Sequence, residues 1–274
     1  MSSEFIINNS LINEKSKTYF IADIAANHDG NLKRAKELFK LAKDAGADAV
    51  KMQHHNVSKY VSDKGFQDLG TKLSHQSNWK KSVFQVYKEA EVPLDWTEEL
   101  VAWAKELHID FFTTPYDLEM VDYINKYVSA FKIGSGDLNW DAMLVKVAQT
   151  GKPIIIASGA SDIGEVQHAM SVLTKHTQKI ALLQCNTNYT ASNGNFKYLN
   201  LNVLKTYKTM YPETLIGLSD HTLGHVSVLG AVSLGAKIIE KHFTDDNLRV
   251  GPDHVFSMNP DTWFKMVEDT RLLE

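Results

Sequence analysis

A closed (β/α)8 barrel, the TIM-barrel class of α/β proteins, is predicted by three features of this sequence. Short β-branched or aliphatic runs alternate with amphipathic stretches, the strand-then-helix units number eight, and 274 residues suit one such barrel, which needs about 250. No Gly-x-Gly-x-x-Gly follows the first barrel strand, which counts against the alternative, an open doubly wound sheet. The chain reads as one domain, 1–274, with a short N-terminal hairpin and a long insertion after the second barrel strand.

Taken in order, residues 5–17 predict the hairpin, with Asn8-Asn9 as its turn. Residues 19–25 form the first barrel strand. Asn31 then caps a helix in which Leu32, Ala35, Leu38, Phe39 and Ala42 recur at helical spacing until Gly46. The second strand, 49–55, leads into a polar insertion, 56–95, with a short helix near 83–90; loops this long in compact domains are more often functional than idle. Thr97, followed by Glu98 and Glu99, predicts a capped helix start. That helix runs to His108 and strand 110–115 follows. The alternation continues through helix 118–127, strand 130–134, helix 141–150 and strand 153–158. Asp162 and Glu165 suggest a capping box, before strand 179–186 and helix 201–210. Two more strands carry Gly217 to Thr222 and Glu240 to Thr244, and Asn259-Pro260 opens the last helix.

Composition narrows the function classes. With 43% hydrophobic and 23% charged residues there is material for a full core. A net charge of -4 gives no reason to expect nucleic acid, and Lys80-Lys81 is too short a basic run to change that. The single cysteine, Cys185, excludes an intrachain disulfide and fits a reducing compartment. No apolar run approaches the roughly 18 residues of a membrane span, and Met1 to Phe5 lack a signal peptide's pattern, so the expectation is a cytoplasmic protein.

In a closed barrel the active site lies where the strands end, so polar residues there are read first. Side chains alternate across a strand, so Gly217, Ser219 and His221 share one face, as do Ile238, Glu240 and His242. Two adjacent parallel strands would aim two imidazoles, a hydroxyl and a carboxylate at one space, which predicts a divalent metal beside a small anionic substrate. Imidazole with oxygen ligands suits Mn, Zn or Fe. Asp23 ends the first strand, Lys51, Gln53 and His55 share a face of the second, Lys132 precedes Ser135, and Ser158-Gly159 ends the fifth. Two lysines with hydroxyls and exposed N–H groups make a phosphate or carboxylate cradle. An inward lysine without an anion would cost several kcal/mol. Against this stands the plainer reading of a strand-end histidine as a hydrogen-bonded core residue. His54, His75, His168, His176 and His225 read as surface or loop residues, and Trp79, Phe84 and Tyr87 as packing for the insertion.

At Asn27 to Gly30, Lys51-Met52-Gln53, Thr114-Pro115, Phe131 to Asp137, Gly217 to Thr222, Glu240 to Thr244 and Gly251 to His254, the chain resembles the sialic acid (N-acetylneuraminate) synthase family. The likeness runs from the first barrel strand to the final helix. It implies a barrel that condenses phosphoenolpyruvate with N-acetylmannosamine or a related N-acyl amino sugar, releasing phosphate and a nonulosonic acid. Carried onto these positions, it implies Mn²⁺, or Mg²⁺, Co²⁺ or Zn²⁺ in its place, held by His221 and His242. Lys51, Gln53, Lys132, Ser135, Ser158, Thr187 and Ser219 would hold phosphoenolpyruvate, and Asn78, Tyr189 and Asp253 would meet the acceptor sugar. Asp23, where the family has Glu, is the candidate for proton handling or for positioning water. Glu240 either acts directly or orients His242 or Lys51. The resemblance further implies a homodimer, and it covers the barrel without the family's C-terminal antifreeze-like domain. Gln184 stands where members often have His, and 191–198 departs from the common pattern, which leaves legionaminate or pseudaminate synthesis as alternatives. A barrel that binds the same ligands without turnover is the non-enzymatic alternative.

Overall fold

The computed structural model describes residues 4–68, 76 and 79–274. The hairpin expected at the N-terminus forms from β1 (Glu4–Ile7) and β2 (Ser10–Asn13), paired antiparallel. Asn8 takes the left-handed conformation, φ 47°, that a tight turn requires and that asparagine tolerates. Phe5, Ile7 and Ile12 are buried, and Asn8 donates to Asp110 at 2.7 Å. Because Asp110 opens its strand, the hairpin closes the N-terminal end of the barrel and leaves the other end for chemistry.

The barrel strands are β3 (Tyr19–Asp23), β4 (Ala49–His54), β5 (Asp110–Pro115), β6 (Phe131–Ile133), β7 (Ile154–Ala157), β8 (Ile180–Cys185), β9 (Leu215–Asp220) and β10 (Ile238–His242). All hydrogen-bonded neighbours are parallel, in the order β5-β4-β3-β10-β9-β8-β7-β6, and β5 and β6 pack side by side, closing the barrel. Helices cover the outside. In α1 (Leu32–Asp44) the Asn31 side chain accepts from the Arg34 N–H at 3.0 Å, while Ala35, Leu38, Phe39 and Ala42 are buried, as the spacing predicts. The capping box of Asp162 and Glu165 opens the helix Ile163–Leu173, and Asn259 caps the helix Pro260–Leu273. Inside the insertion, Val57, Val61 and Val83 form a small separate core with Trp79, Phe84 and Tyr87 against it.

Two expectations are corrected. Thr97 is the first residue of its helix, Thr97–Glu106, and not its cap. Its hydroxyl meets His54 Nε2 at 2.9 Å, and the other ring nitrogen of His54 meets Thr113 Oγ1 at 2.9 Å. His54 is fully buried, not at the surface. The strand period explains it: Lys51 and Gln53 face the interior, so His54 points outward, and the outside of a barrel strand is covered by helix. Burial holds His54 at about 4, with His55 and His28 adding to the effect, and burial likewise takes His28 to about 4. An unfolded histidine takes up its proton near 6.5 while these two do not, so their contribution is intact above 6.5 and is lost as pH falls toward 4. Chemical denaturation should therefore show stability declining across that window by roughly 3 kcal/mol per histidine. His54→Gln should remove its own share of the slope and leave that of His28, His55 and His242, which burial also lowers.

On the outer side of the last two strands, Lys241 reaches Asp220 and the Thr222 carbonyl, and Ser227 donates to the same carboxylate. Lys241 and Asp220 are both about 1% exposed. Lys241→Met leaves a buried carboxylate without its counter-ion, and should destabilise the fold by about 3–5 kcal/mol in thermal or urea unfolding.

Candidate active site at the C-terminal ends of the strands

The register brings the inward residues together. Asp23 pairs with Lys51 on one side and His242 on the other, Ser219 lies beside Glu240, and Gln53 lies beside Thr114. Gly217 has no side chain because a Cβ there would stand 2.3 Å from the Ile238 carbonyl oxygen of the next strand. At the floor, Lys51 Nζ donates to Asp23 Oδ2 at 2.7 Å and lies 3.8 Å from Glu240 Oε1. Lys132 Nζ approaches the same Glu240 oxygen at 3.5 Å, and Ser219 Oγ donates to it at 3.4 Å. Gln53 Nε2 and the Ala25 N–H also donate to Asp23, at 3.4 and 3.1 Å. Burial opposes the charge on Lys51, but Asp23 and Glu240 outweigh it and raise its affinity for the proton. The lysine stays an ammonium.

Above this floor the His221 and His242 rings lie 5.2 Å apart, centre to centre. The Asn186 carbonyl, 2.9 Å from His221 Nδ1, fixes that ring's tautomer and turns Nε2 toward any ligand. His242 Nε2 is 3.6 Å from Asp23, and its Nδ1 is buried with no hydrogen bond, 3.8 Å from Asp253. Burial first, then His221 and Lys51, hold His242 well below the ordinary histidine value. It is therefore neutral, the form that ligates a metal. Asp253 accepts from the Ala26 N–H at 3.2 Å, and burial pushes its carboxyl up to about 6. Tyr189 lies over His221 at 4.2 Å between ring centres, and Phe256 packs 5.0 Å from His242.

The donor set fits a divalent cation on two counts. First, buried Glu240 Oε2, His242 Nδ1 and Thr187 Oγ1 have no hydrogen-bond partner, at a cost of about 1–3 kcal/mol each. Second, Lys51 and Lys132 are balanced by Asp23 and Glu240, so an incoming polyanion needs positive charge that these four groups do not supply. Among the described residues no cluster of three or more His, Cys, Asp or Glu side chains has metal-ligand geometry. Any cation here would have two imidazoles and otherwise open positions.

Ser135 and Thr187 sit in the loops just past β6 and β8. Ser158 is placed differently: Ile155 and Ala157 face inward in register with Lys132 and Leu183, so Ser158 faces the helices. Its hydroxyl donates to Gln184 Oε1 at 3.1 Å and accepts from the Cys185 N–H at 3.2 Å. The neighbouring Gly159, with a φ of 58° and the Ser135 carbonyl 2.3 Å from where a Cβ would stand, admits no side chain. Asn78 lies outside the described residues. Thr114, 3.5 Å from Lys51 Nζ, and Asp137, pushed by burial up to about 6 against the pull of Lys132, belong to the same cavity wall and are not among the site residues the sequence predicts. Their signal was the alternation along β5 and the position after Gly134-Ser135-Gly136. Tyr60 and Tyr116 stack, and His55 stands edge-on to both, in an aromatic wall beside them.

Comparison with known proteins agrees with this geometry. The chain is 39% identical over 249 residues to N,N'-diacetyllegionaminic acid synthase of Campylobacter jejuni, covering 89% of this chain and 72% of that one. It is 31% identical over 257 residues to human N-acetylneuraminate-9-phosphate synthase, covering 93% and 70%. The crystal structure of N-acetylneuraminic acid synthetase from Leptospira borgpetersenii, in complex with citrate, superposes with a TM-score of 0.88 at 29% identity, covering 100% of this chain and 89% of that one. The family pattern itself matches residues 38–274, and with the barrel, its strand-end residues and these relatives in agreement, the chain belongs to the NeuB family of sugar acid synthases.

Proposed function

We propose that the protein condenses phosphoenolpyruvate with an amino sugar of the N-acetylmannosamine type, giving a nonulosonic acid and inorganic phosphate. The observation that carries this is the meeting of Lys51 and Lys132 on one oxygen of Glu240, directly below the His221 and His242 pair. Phosphoenolpyruvate places a carboxylate and a phosphate on three carbons, and two ammonium groups converging from different strands match that charge. Ser135, Ser219, Thr114 and Gln53 add direction through hydroxyl and amide hydrogen bonds.

In the reaction, C3 of phosphoenolpyruvate attacks the aldehyde carbon of the open-chain sugar, and the carbonyl oxygen takes a proton. Water adds at C2 and gives up one proton, and the C2 hydroxyl so formed loses its own to the departing phosphate as the C2–O bond to phosphate breaks and the C2 carbonyl forms. Asp23 is held by Lys51, Gln53 and the Ala25 N–H, so its carboxylate is fixed at the end of β3 to orient that water or accept its proton. Glu240 positions both lysines through Oε1 and has Oε2 left to hydrogen-bond a bound substrate or water. Tyr189 and Asp253 flank the histidines where the acceptor would enter. A divalent cation, most simply Mn²⁺, would be held by His221 and His242 and would supply Lewis-acid polarisation of the aldehyde oxygen. Incubation with Mn²⁺, phosphoenolpyruvate and a panel of N-acylated hexosamines should release phosphate in step with loss of acceptor. Absence of release with every acceptor would overturn the proposal.

A further inference from the structure

Next to Asp253 in the chain stands His254, a fully buried imidazole with a partner on each ring nitrogen. Its Nδ1 meets Thr244 Oγ1 at 2.7 Å, and its Nε2 lies 3.0 Å from Asp29 Oδ1. Asp29 is itself paired with Arg34 at 3.0 Å and Arg249 at 3.5 Å, and because a carboxylate only accepts, His254 Nε2 carries a proton and donates to it. Thr244 lies two residues past His242, and Asp29 lies three past Ala26, whose N–H holds the Asp253 side chain at 3.2 Å. The ring therefore joins the two segments between which Asp253 is suspended.

Both anchors are stiff. Arg34, in the first turn of α1, grips Asp245 through hydrogen bonds of 2.6 and 2.5 Å and donates to the Asn27 carbonyl at 2.7 Å, which locks the loop after β3 to the loop after β10. Asp29 sits at a left-handed φ of 52°, a backbone conformation that most residues with a side chain avoid, with Arg34 and His254 on its carboxylate. Ser257 Oγ donates to the Asp253 carbonyl at 2.7 Å and accepts from Asn27 Nδ2 at 2.9 Å, so the backbone of Asp253 is tied to the same loop. Gly251 leaves room for the ring, since a Cβ there would stand 2.6 Å from His254 Cδ2. Packing alone would be served by an apolar side chain at lower cost, whereas an imidazole with two partners fixes distance and direction. We propose that His254 is a positioning residue for the acceptor step: by spanning Thr244 and Asp29 it sets the Asp253 carboxylate 3.8 Å from His242 Nδ1, where an entering sugar would meet it. This rests on the condensation proposed above and adds to it a residue that acts only through its neighbour.

The test uses the full chain with Mn²⁺, phosphoenolpyruvate and the N-acylated hexosamine that turns over fastest. His254→Phe keeps a ring in the space and removes both hydrogen bonds. It should raise KM for the acceptor about 30-fold, with KM for phosphoenolpyruvate and calorimetric Mn²⁺ affinity within about twofold of the unaltered protein. His254→Gln restores a donor near the Nε2 position and should recover most of that loss. Thr244→Val removes one partner and leaves the imidazole; it should raise the acceptor KM about fivefold, and it carries the comparison if the Phe variant does not fold. A role in stability alone would lower Tm while leaving the two KM values unchanged or raising them together, and either result overturns the inference. Crystal structures decide it independently of turnover: in the Phe or Val variant the Asp253 carboxylate should shift by about 1 Å or more relative to His242, and an unmoved Asp253 overturns the positioning role. If the unaltered protein releases no phosphate with any acceptor, the condensation fails, and the Asp253 displacement still decides what His254 holds in place.

Discussion

His242→Ala should abolish metal-dependent phosphate release, lowering kcat by on the order of 10³-fold or more, because an electrophile-stabilising group in a buried site is worth at least that much. The substitution is structurally mild. His242 Nδ1 makes no hydrogen bond, and its nearest charged neighbours, Asp23 and Asp253, stand 3.6 and 3.8 Å away. A folded protein with a melting temperature lowered by the lost packing against Phe256 and His221, no calorimetric Mn²⁺ binding and no turnover is the expected outcome. Retention of Mn²⁺ affinity, or of activity within tenfold, would mean that the imidazole pair does not hold the cation.

Lys51→Met should fail in two ways. Asp23 loses its 2.7 Å partner and Glu240 loses one of its two ammonium neighbours, both inside a core where unpaired carboxylates cost about 3–5 kcal/mol. At this chain length that is a fall of roughly 10 °C in Tm. Activity should be lost through substrate affinity as well as rate, since half of the anion cradle is gone. Pairing Lys51→Met with Asp23→Asn separates the effects: the double variant should recover most of the stability and none of the activity. If Lys51→Met alone keeps wild-type KM for phosphoenolpyruvate, the cradle is misassigned.

Much of this site is legible in the sequence, because strand alternation is a rule of period two and these strands are clearly bounded. Lys51 with Gln53, Ser219 with His221, and Glu240 with His242 follow from it directly. Asp23 follows from its place at a strand end. Ser158 shows what the rule lacks: its position at a strand end is evident, but which way it faces depends on the register with β6, where Lys132 sets the inner face. Thr114 and Asp137 join the wall through register and through a loop, neither of which leaves a local pattern. His54 shows the limit of polarity as a guide: it suggests the surface, whereas the outer face of a barrel strand lies under a helix, and Thr97 and Thr113 supply the hydrogen bonds that let the ring stay there.

Behind the two strands that present the histidines, Lys241 and Asp220 bolt the neighbours together from the side the substrate never sees. Being only one residue away from each imidazole in sequence, this bolt sets the spacing of the two rings as the chain folds. A cation arriving at the mouth would meet ligands already at their working separation, so loading should proceed with little change in backbone protection from hydrogen exchange along β9 and β10.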